Sequence, residues 1–548
     1  MPIALRRSGR TVKRSVNSIE LFLVMVVAVL ACSYLVQLLP FPVPLPLVQI
    51  FAGSMLALFT EHAVQLQPEV FFLLFLPPLL FLDGWRIPKD GLKRDRGRIL
   101  ELAFGLVFFS VGVGGPLIHL LIPSIPLSVA FALAAVISPT DPVAVSAIAA
   151  RTPIPGRLMH VLEGESLLND ASGLLSFRLA VGVVLGTAFS WTTAATTLLW
   201  SVFAGVLAGL VVTLLLTTGQ RILERRLGTA DADAPLLVTL VIPFAAYLLA
   251  EQVHASGILA VVAAGMAMSR VELTGLAPAS SRLQRNAFWN TVQLLLNGIM
   301  FVVLGEQLPR VALGAMELGA ALGREGGWWL TLYAVSVAGG MMLLRLAWLT
   351  FSAVLPWHRG DRRSFRERLP ENLVLSVAGV RGAVTLAGVL TLPLALTDGS
   401  PFPARDLAIF LAASVILISI TASGLFLPRL LRRLTPMGDE HGEELAHAQG
   451  EAARAAVQAI QGALARSPDD AELAAVAAPL LEAYRSRAGA SAAHAETRRF
   501  HEAEQRLRML CLRAERDALF SMARAGRLSD ATARRLVHDI DLLEAHIS

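Results

Sequence analysis

The stretch EGESLLNDASG, residues 163–173, sets Glu163, Glu165 and Asp170 among apolar residues and runs on into LLSFRLAVGVVLG. In an α-helix residues four apart share a face, so Glu165 lies over Asn169 and Ser166 over Asp170. The two pairs are adjacent and form one polar stripe of carboxyl, amide and hydroxyl groups. An ionised carboxylate at the centre of a membrane helix costs about 2.5 to 3.5 kcal/mol on insertion scales, so such groups face a bundle interior and mark ion or proton routes. The bland alternative is a structural charge pair. A second acid, Asp141, sits in ISPTDPV, where Pro139 and Pro142 remove two backbone donors and crowd the preceding turn. A helix through this segment should unwind around Thr140 and Asp141 and free carbonyl oxygens. Carboxylate, hydroxyl and carbonyl oxygens in combination suit a small hard cation such as Na+, and a proton competes for the same carboxylates. Competition is sufficient for exchange: if the site crosses only when one of the two is bound, a gradient of one drives the other.

Two arginines balance these acids. Arg345 lies in MMLLRLAWL, and Arg381 lies in AGVRGAV between Gly379 and Gly382. An unpaired guanidinium inside an apolar run is unfavourable, so each needs a partner. Snorkelling to a loop end is the competing explanation, and it weighs more for Arg178, near the end of its run.

The elements that position these groups are membrane helices. Of 548 residues, 55% are hydrophobic and 16% charged, too apolar for a soluble domain. The apolar runs are continuous rather than alternating, so the fold is all-α and polytopic, not a β-barrel. Hydropathy places about thirteen spans at 19–39, 45–60, 69–83, 99–122, 125–150, 159–183, 190–217, 235–252, 256–269, 287–309, 327–354, 371–397 and 405–428. The second is short and proline-rich. With 190–217 as a linker helix, repeat one covers 19–183 and repeat two 235–428. Each break, TDP and VRGAV, falls in the fifth span of its set, the pattern of inverted repeats with a binding site at the midplane. Residues 1–18 form a basic tail, 19–433 the membrane domain, and 434–548 an Ala-, Arg- and Glu-rich helical domain, with Ser467 and Pro468 as a helix start.

Placing the C-terminus in the cytoplasm puts Arg86–Arg98, Arg151, Arg157, Arg221–Arg226, Arg270–Arg285, Arg359–Arg368 and Arg429–Arg433 inside, and leaves Arg310, Arg324 and Arg405 outside. Thirteen spans would then put the tail, with Arg6, Arg7, Arg10, Lys13 and Arg14, outside, against the same rule. The net charge of +5 resides in these loops and reports topology rather than a nucleic-acid partner. Cys32 and Cys511 cannot make a disulfide framework, and the first run lacks a signal-peptide cleavage site. HGEELAH spaces its histidines six apart, on different helix faces, which suits a solvated helix better than a metal site. No nucleophile and base occur at hydrolase spacing, and SVGVGGP inside an apolar span suits helix packing rather than a nucleotide. Nothing points to an enzyme or to a cofactor.

EGESLLNDA, the TDP break, Arg345 and VRGAV, in that order, resemble the bacterial branch of the monovalent cation:proton antiporter-1 family, the NhaP-type antiporters related to the animal sodium/proton exchangers. The resemblance covers about residues 19–430. It implies a homodimer with separate dimerisation and core domains, the core moving in an elevator-like cycle. It implies Asp170 as principal carrier of cation or proton, with Asp141, Thr140 and Ser166 as further ligands. It implies a Glu165–Arg345 salt bridge, Asn169 as the neutral member of an Asn-Asp pair, and Arg381 compensating helix-end dipoles. Relatives with Asp in place of this Asn are typically electrogenic, so Asn169 implies one-for-one exchange. Glu163 is expected in a cytoplasmic funnel. The tail resembles those of some bacterial members more weakly and is expected to be regulatory or oligomeric. The expectation is a Na+/H+ antiporter of a bacterial cytoplasmic membrane serving pH homeostasis. K+ or Li+ remain open as the cation, and a cation channel or a sensor signalling through the tail is the alternative class.

Overall fold

The computed structural model describes residues 4–39, 43–59, 68–87, 89–142, 145–146, 154–186, 190–227, 234–272, 279–321, 327–352, 365–396, 398–432, 440–466, 471–490, 495–525, 536–537, 540 and 544. The expected helix start at Ser467 and Pro468, the loop residues Arg151 and Arg359, and the side chains of the basic tail and of HGEELAH lie outside this description.

Every regular element among the described residues is a helix, and each of the thirteen apolar runs overlaps at least one. In chain order they are α1 Ala4–Leu38, α2 Leu45–Phe59, α3 Pro68–Arg86, the short α4 Lys89–Arg94, α5 Arg96–Leu121, α6 Leu127–Ile137, α7 Gly156–Val184 and α8 Trp191–Leu227. There follow α9 Ala234–Gln252, α10 Gly257–Glu272, α11 Ala279–Ala321, α12 Trp328–Phe351, α13 Phe365–Val377, α14 Ala383–Leu390 and α15 Arg405–Leu431. Seven are long and apolar enough to cross a membrane, and Phe22–Leu38, Leu45–Leu58 and Leu127–Ile137 are shorter apolar helices. Several helices outrun their apolar segments. The basic residues before position 19 continue α1, and α11 extends through polar residues on both sides of 287–309. Arg, Gln, Glu and Ala are good helix formers, so the backbone does not stop where the hydropathy does.

The membrane helices sort into two bundles. In one, α1, α2 and α3 pack with α8 to α11; in the other, α5, α6 and α7 pack with α12 to α15. The packing thus cuts across the sequence halves, each half giving helices to both bundles. Glycine lets α2 and α11 touch backbone to backbone: a Cβ on Gly53 would stand 2.0 Å from the Val302 oxygen, and one on Gly305 1.9 Å from the Ile50 oxygen. Such small-residue contacts replace hydrophobic drive between helices in lipid. The bundles meet chiefly where α11 runs along α15.

Residues Pro436–Ser548 form a separate compact unit. It holds α16 Glu440–Arg466, α17 Ala471–Ala490 and α18 Ala495–Arg524, with α16 packed on α17.

Candidate functional site

The two interruptions lie against each other. α6 ends at Ile137, residues 139–141 leave the helix, and helical backbone has returned by Val145 and Ser146. The freed N–H of Asp141 donates to the Val380 carbonyl at 2.7 Å, inside the second break. There α13 stops at Val377 and α14 starts at Ala383, after Gly382 in an extended conformation. Arg381 returns the contact: its Nε donates to the Ile137 oxygen at 2.9 Å, its Nη1 to the Gly379 oxygen, and its backbone N–H to Ser419 Oγ at 3.1 Å. The guanidinium therefore stands at the carbonyl end of α6, where the helix dipole is negative. Gly382 has no room for a side chain, because a Cβ would lie 1.8 Å from Asp141 Oδ2.

α7 supplies the polar stripe. Glu165, Ser166, Asn169 and Asp170 are all buried on it. Arg345 of α12 grips Glu165 with both terminal nitrogens, Nη1 to Oε1 and Nη2 to Oε2 at 2.7 Å, and its Nε donates to the Leu375 oxygen at 2.9 Å. From this pair a chain runs into the first break. Asn169 Nδ2 donates to Thr140 Oγ1 at 3.0 Å, and Thr140 Oγ1 donates to Glu165 Oε1 at 3.0 Å. Its direction is fixed, since an amide NH2 only donates and an ionised carboxylate only accepts. Thr140 keeps one lone pair uncommitted, and the buried Asn169 Oδ1 has no hydrogen-bond partner.

The structure brings Asp170, Asp141, Thr140, Asn169 and Glu165 to one place, with Arg345 paired to Glu165 and Arg381 within electrostatic reach of both. Arg178 is elsewhere: it pairs with Glu251 of α9 at 3.5 Å, both partly exposed. One acid that the sequence reading passed over joins the cluster. Asp83, in the last turn of α3, lies within electrostatic reach of Asp141 and Glu163, and Asp170 within reach of Asp141 and Asp83. Nearby Arg86 is directed at Gln293 Oε1 at 2.8 Å and Asn290 Oδ1 at 2.5 Å on α11. The available signal was an acid at the end of FFLLFLPPLLFLD, which reads as a span boundary. Among the described residues no three His, Cys, Asp or Glu side chains converge at metal-ligating distance, so the acids act on one another through charge rather than as a preformed cage.

Interrupted helices crossed at a buried acidic site, within a multi-pass helical bundle, define a class of membrane carriers. Residues 24–433 match the transmembrane sodium/hydrogen exchanger family, and the chain belongs to that family. It is 38% identical over 544 residues to an Escherichia coli protein named as an uncharacterized Na+/H+ exchanger, YjcE, with 95% of this chain and 97% of that one covered. It is 37% identical over 532 residues to the sodium, potassium, lithium and rubidium/H+ antiporter of Bacillus subtilis, covering 96% of this chain and 78% of that one. In fold it is similar to the sodium proton antiporter MjNhaP1 of Methanocaldococcus jannaschii, with a TM-score of 0.56 at 18% identity, covering 76% of this chain and 99% of that one.

Proposed function

We propose that the protein is a secondary antiporter that exchanges Na+ for H+ one for one across a bacterial cytoplasmic membrane. The observation that carries this reading is the buried Asp170 carboxyl of α7, within electrostatic reach of Asp141 in the unwound segment and next to Asn169, which is bonded to Thr140. Asp170 binds cation or proton in competition, and Asp141, Thr140 and Ser166 complete the cation's oxygen shell. Thr140 is suited to this because its hydroxyl proton is committed to Glu165 and a lone pair is left for the cation. Glu165 is already neutralised by Arg345, and Asn169 is uncharged, which supports an electroneutral cycle. The breadth of cations in the name of the Bacillus subtilis relative extends the reading to K+ and Li+ at the same site.

The division into two bundles supports an alternating-access cycle. The site helices α6, α7, α13 and α14 belong to one bundle, whereas Asp83 projects from the other. Sliding of the first bundle against the second would carry the bound ion across, with the second bundle forming the contact of a homodimer. The basic loops put residues 434–548 in the cytoplasm.

The test is made on purified protein in liposomes with an imposed pH gradient. Internal pH is followed by a dye as NaCl, KCl or LiCl is added, with and without a protonophore and valinomycin. Proton movement triggered by one cation and insensitive to clamped voltage is the expected result. Silence with all three in a folded preparation would remove the antiport reading, and current without proton coupling would make it a channel.

A further inference from the structure

A carboxyl outside the cation site is built into the same bundle. α5 contains a π turn at Glu101–Leu106, an insertion that loosens the helical ladder and is often found at functional sites. Its two polar features point to two different helices. The Ala103 oxygen accepts from Ser172 Oγ of α7 at 2.5 Å, and that hydroxyl also reaches the Asn169 oxygen at 2.9 Å. Glu101 is buried, and its Oε1 accepts from Trp348 Nε1 of α12 at 3.1 Å. The Trp348 ring is seated on Phe109, centroids 5.0 Å apart, and on Gly105, where a Cβ would come within 2.7 Å of the ring. Trp348 is one helical turn beyond Arg345, and Glu101 lies beside Ser352 and within electrostatic reach of Arg98 and Glu165.

We propose that Glu101 is a positioning residue for exchange: by holding Trp348 it fixes the rotation of α12 at which Arg345 meets Glu165. Through Glu165 the effect passes to Thr140, the proposed cation ligand that donates to it. What this tie needs from position 101 is an acceptor, not a charge. A glutamine supplies one through Oε1, while its Nε2 can donate to Ser352 Oγ, whose own proton is directed to the Leu349 oxygen at 3.3 Å. The inference rests on the reading of Thr140 as a cation ligand.

The experiment compares Glu101→Gln, Glu101→Leu, Trp348→Phe and Thr140→Ala with the parent in liposomes, reading apparent KM for Na+ and maximal rate separately. Loss of a distant positioning contact should raise KM about tenfold in Glu101→Leu and in Trp348→Phe, with Glu101→Gln restored to the parent value. A residue that only supports the fold would lower yield and maximal rate and leave KM in place. Unchanged KM in Glu101→Leu, or a KM in Glu101→Gln raised as far as in Glu101→Leu, overturns the proposal. Thr140→Ala separates the two readings: if its KM rises while that of Glu101→Leu does not, only the positioning role is lost. If Thr140→Ala leaves KM unmoved, both fall.

Discussion

The first break, in the segment after α6, is made by prolines and carries an acid; the second, between α13 and α14, is made around glycines and carries a base. The two breaks hold each other, with the Asp141 backbone N–H on the Val380 oxygen and the Arg381 side-chain Nε on the Ile137 oxygen. Their side chains divide the work. Arg381 answers carbonyls that unwinding leaves orphaned, those of Ile137 and Gly379, a role that an acid cannot fill because both groups are acceptors. On the proposed reading, two similar interruptions thus divide into one half that binds and one half that compensates. The same division appears on the long helices beside them, where Asp170 of α7 lies on the binding side and Arg345 of α12 on the compensating side.

If that division holds, removing a group from the binding side should stop transport without unfolding the protein. The largest effect is expected for Asp170→Asn, which keeps shape and removes the titratable charge: exchange in liposomes falls below detection while the elution profile and thermal midpoint stay at parent values. Undiminished exchange in that variant would end the distinction between the two sides. The compensating side should behave in the opposite way. Glu165→Ala strands the Arg345 guanidinium in a low-dielectric interior and should destabilise the protein by about 3 to 5 kcal/mol, seen as lower yield and an earlier thermal transition. A paired Glu165→Leu, Arg345→Met change should recover much of that stability, because the buried charges leave together. Transport should not recover with it, since Thr140 has lost its acceptor.

How far these roles were legible in the sequence depends on whether the deciding physics is local. Both breaks were legible, because Pro139, Pro142, Gly379 and Gly382 act on their own backbone. The α7 stripe was legible because helical spacing alone aligns Glu165 with Asn169 and Ser166 with Asp170. The need of Arg345 for a partner could be read from its apolar run, but the choice of Glu165, 180 positions away, came only through family resemblance. Asp83 was missed for a related reason. At the end of an apolar run it is indistinguishable from a boundary residue until α3 is docked on α10 with its last turn toward Asp141. The π turn of α5 was equally hidden, since ELAFGL has no feature that distinguishes it from an ordinary apolar turn and its seat for Trp348 comes from another helix. Helix ends were the other loss, as in α11, where polar residues prolong a helix that hydropathy cuts short.

The two glycines of the second break sharpen the comparison at smaller amplitude, because one faces each side. A Cβ on Gly382 would press on Asp141, whereas one on Gly379 would lie 2.6 Å from Arg345 Nε. Gly382→Ala should therefore raise the apparent KM for Na+ about tenfold by displacing the acid, since small misplacements of reacting groups carry large kinetic effects. Gly379→Ala should instead lower the thermal midpoint, with a loss of about 1 to 3 kcal/mol typical of overpacking a buried site. The same methyl group, three residues apart, is expected to move two different observables. If both variants lose stability alone, the acid at the first break is not a cation ligand.

The smallest effect is expected at Arg178, which belongs to the site helix but to neither side of the site. Its ion pair with Glu251 joins α7 of one bundle to α9 of the other, and both side chains keep substantial exposure. Exposed pairs contribute about 0 to 1 kcal/mol, because solvent screens the attraction and two long side chains lose freedom to make it. Arg178→Ala should thus leave the thermal midpoint nearly unchanged. Its kinetic effect discriminates more sharply: the pair crosses the boundary along which the bundles are proposed to slide, so it must open once per cycle in that mechanism. Maximal rate should rise by a factor of about two to five when it is removed, the factor by which 0.4 to 1 kcal/mol changes a barrier, with KM for Na+ unchanged. A rate that is unaffected while Glu251→Ala is equally silent would mean that the two helices do not part, and the bundle that carries Asp170 would have to move about some other boundary.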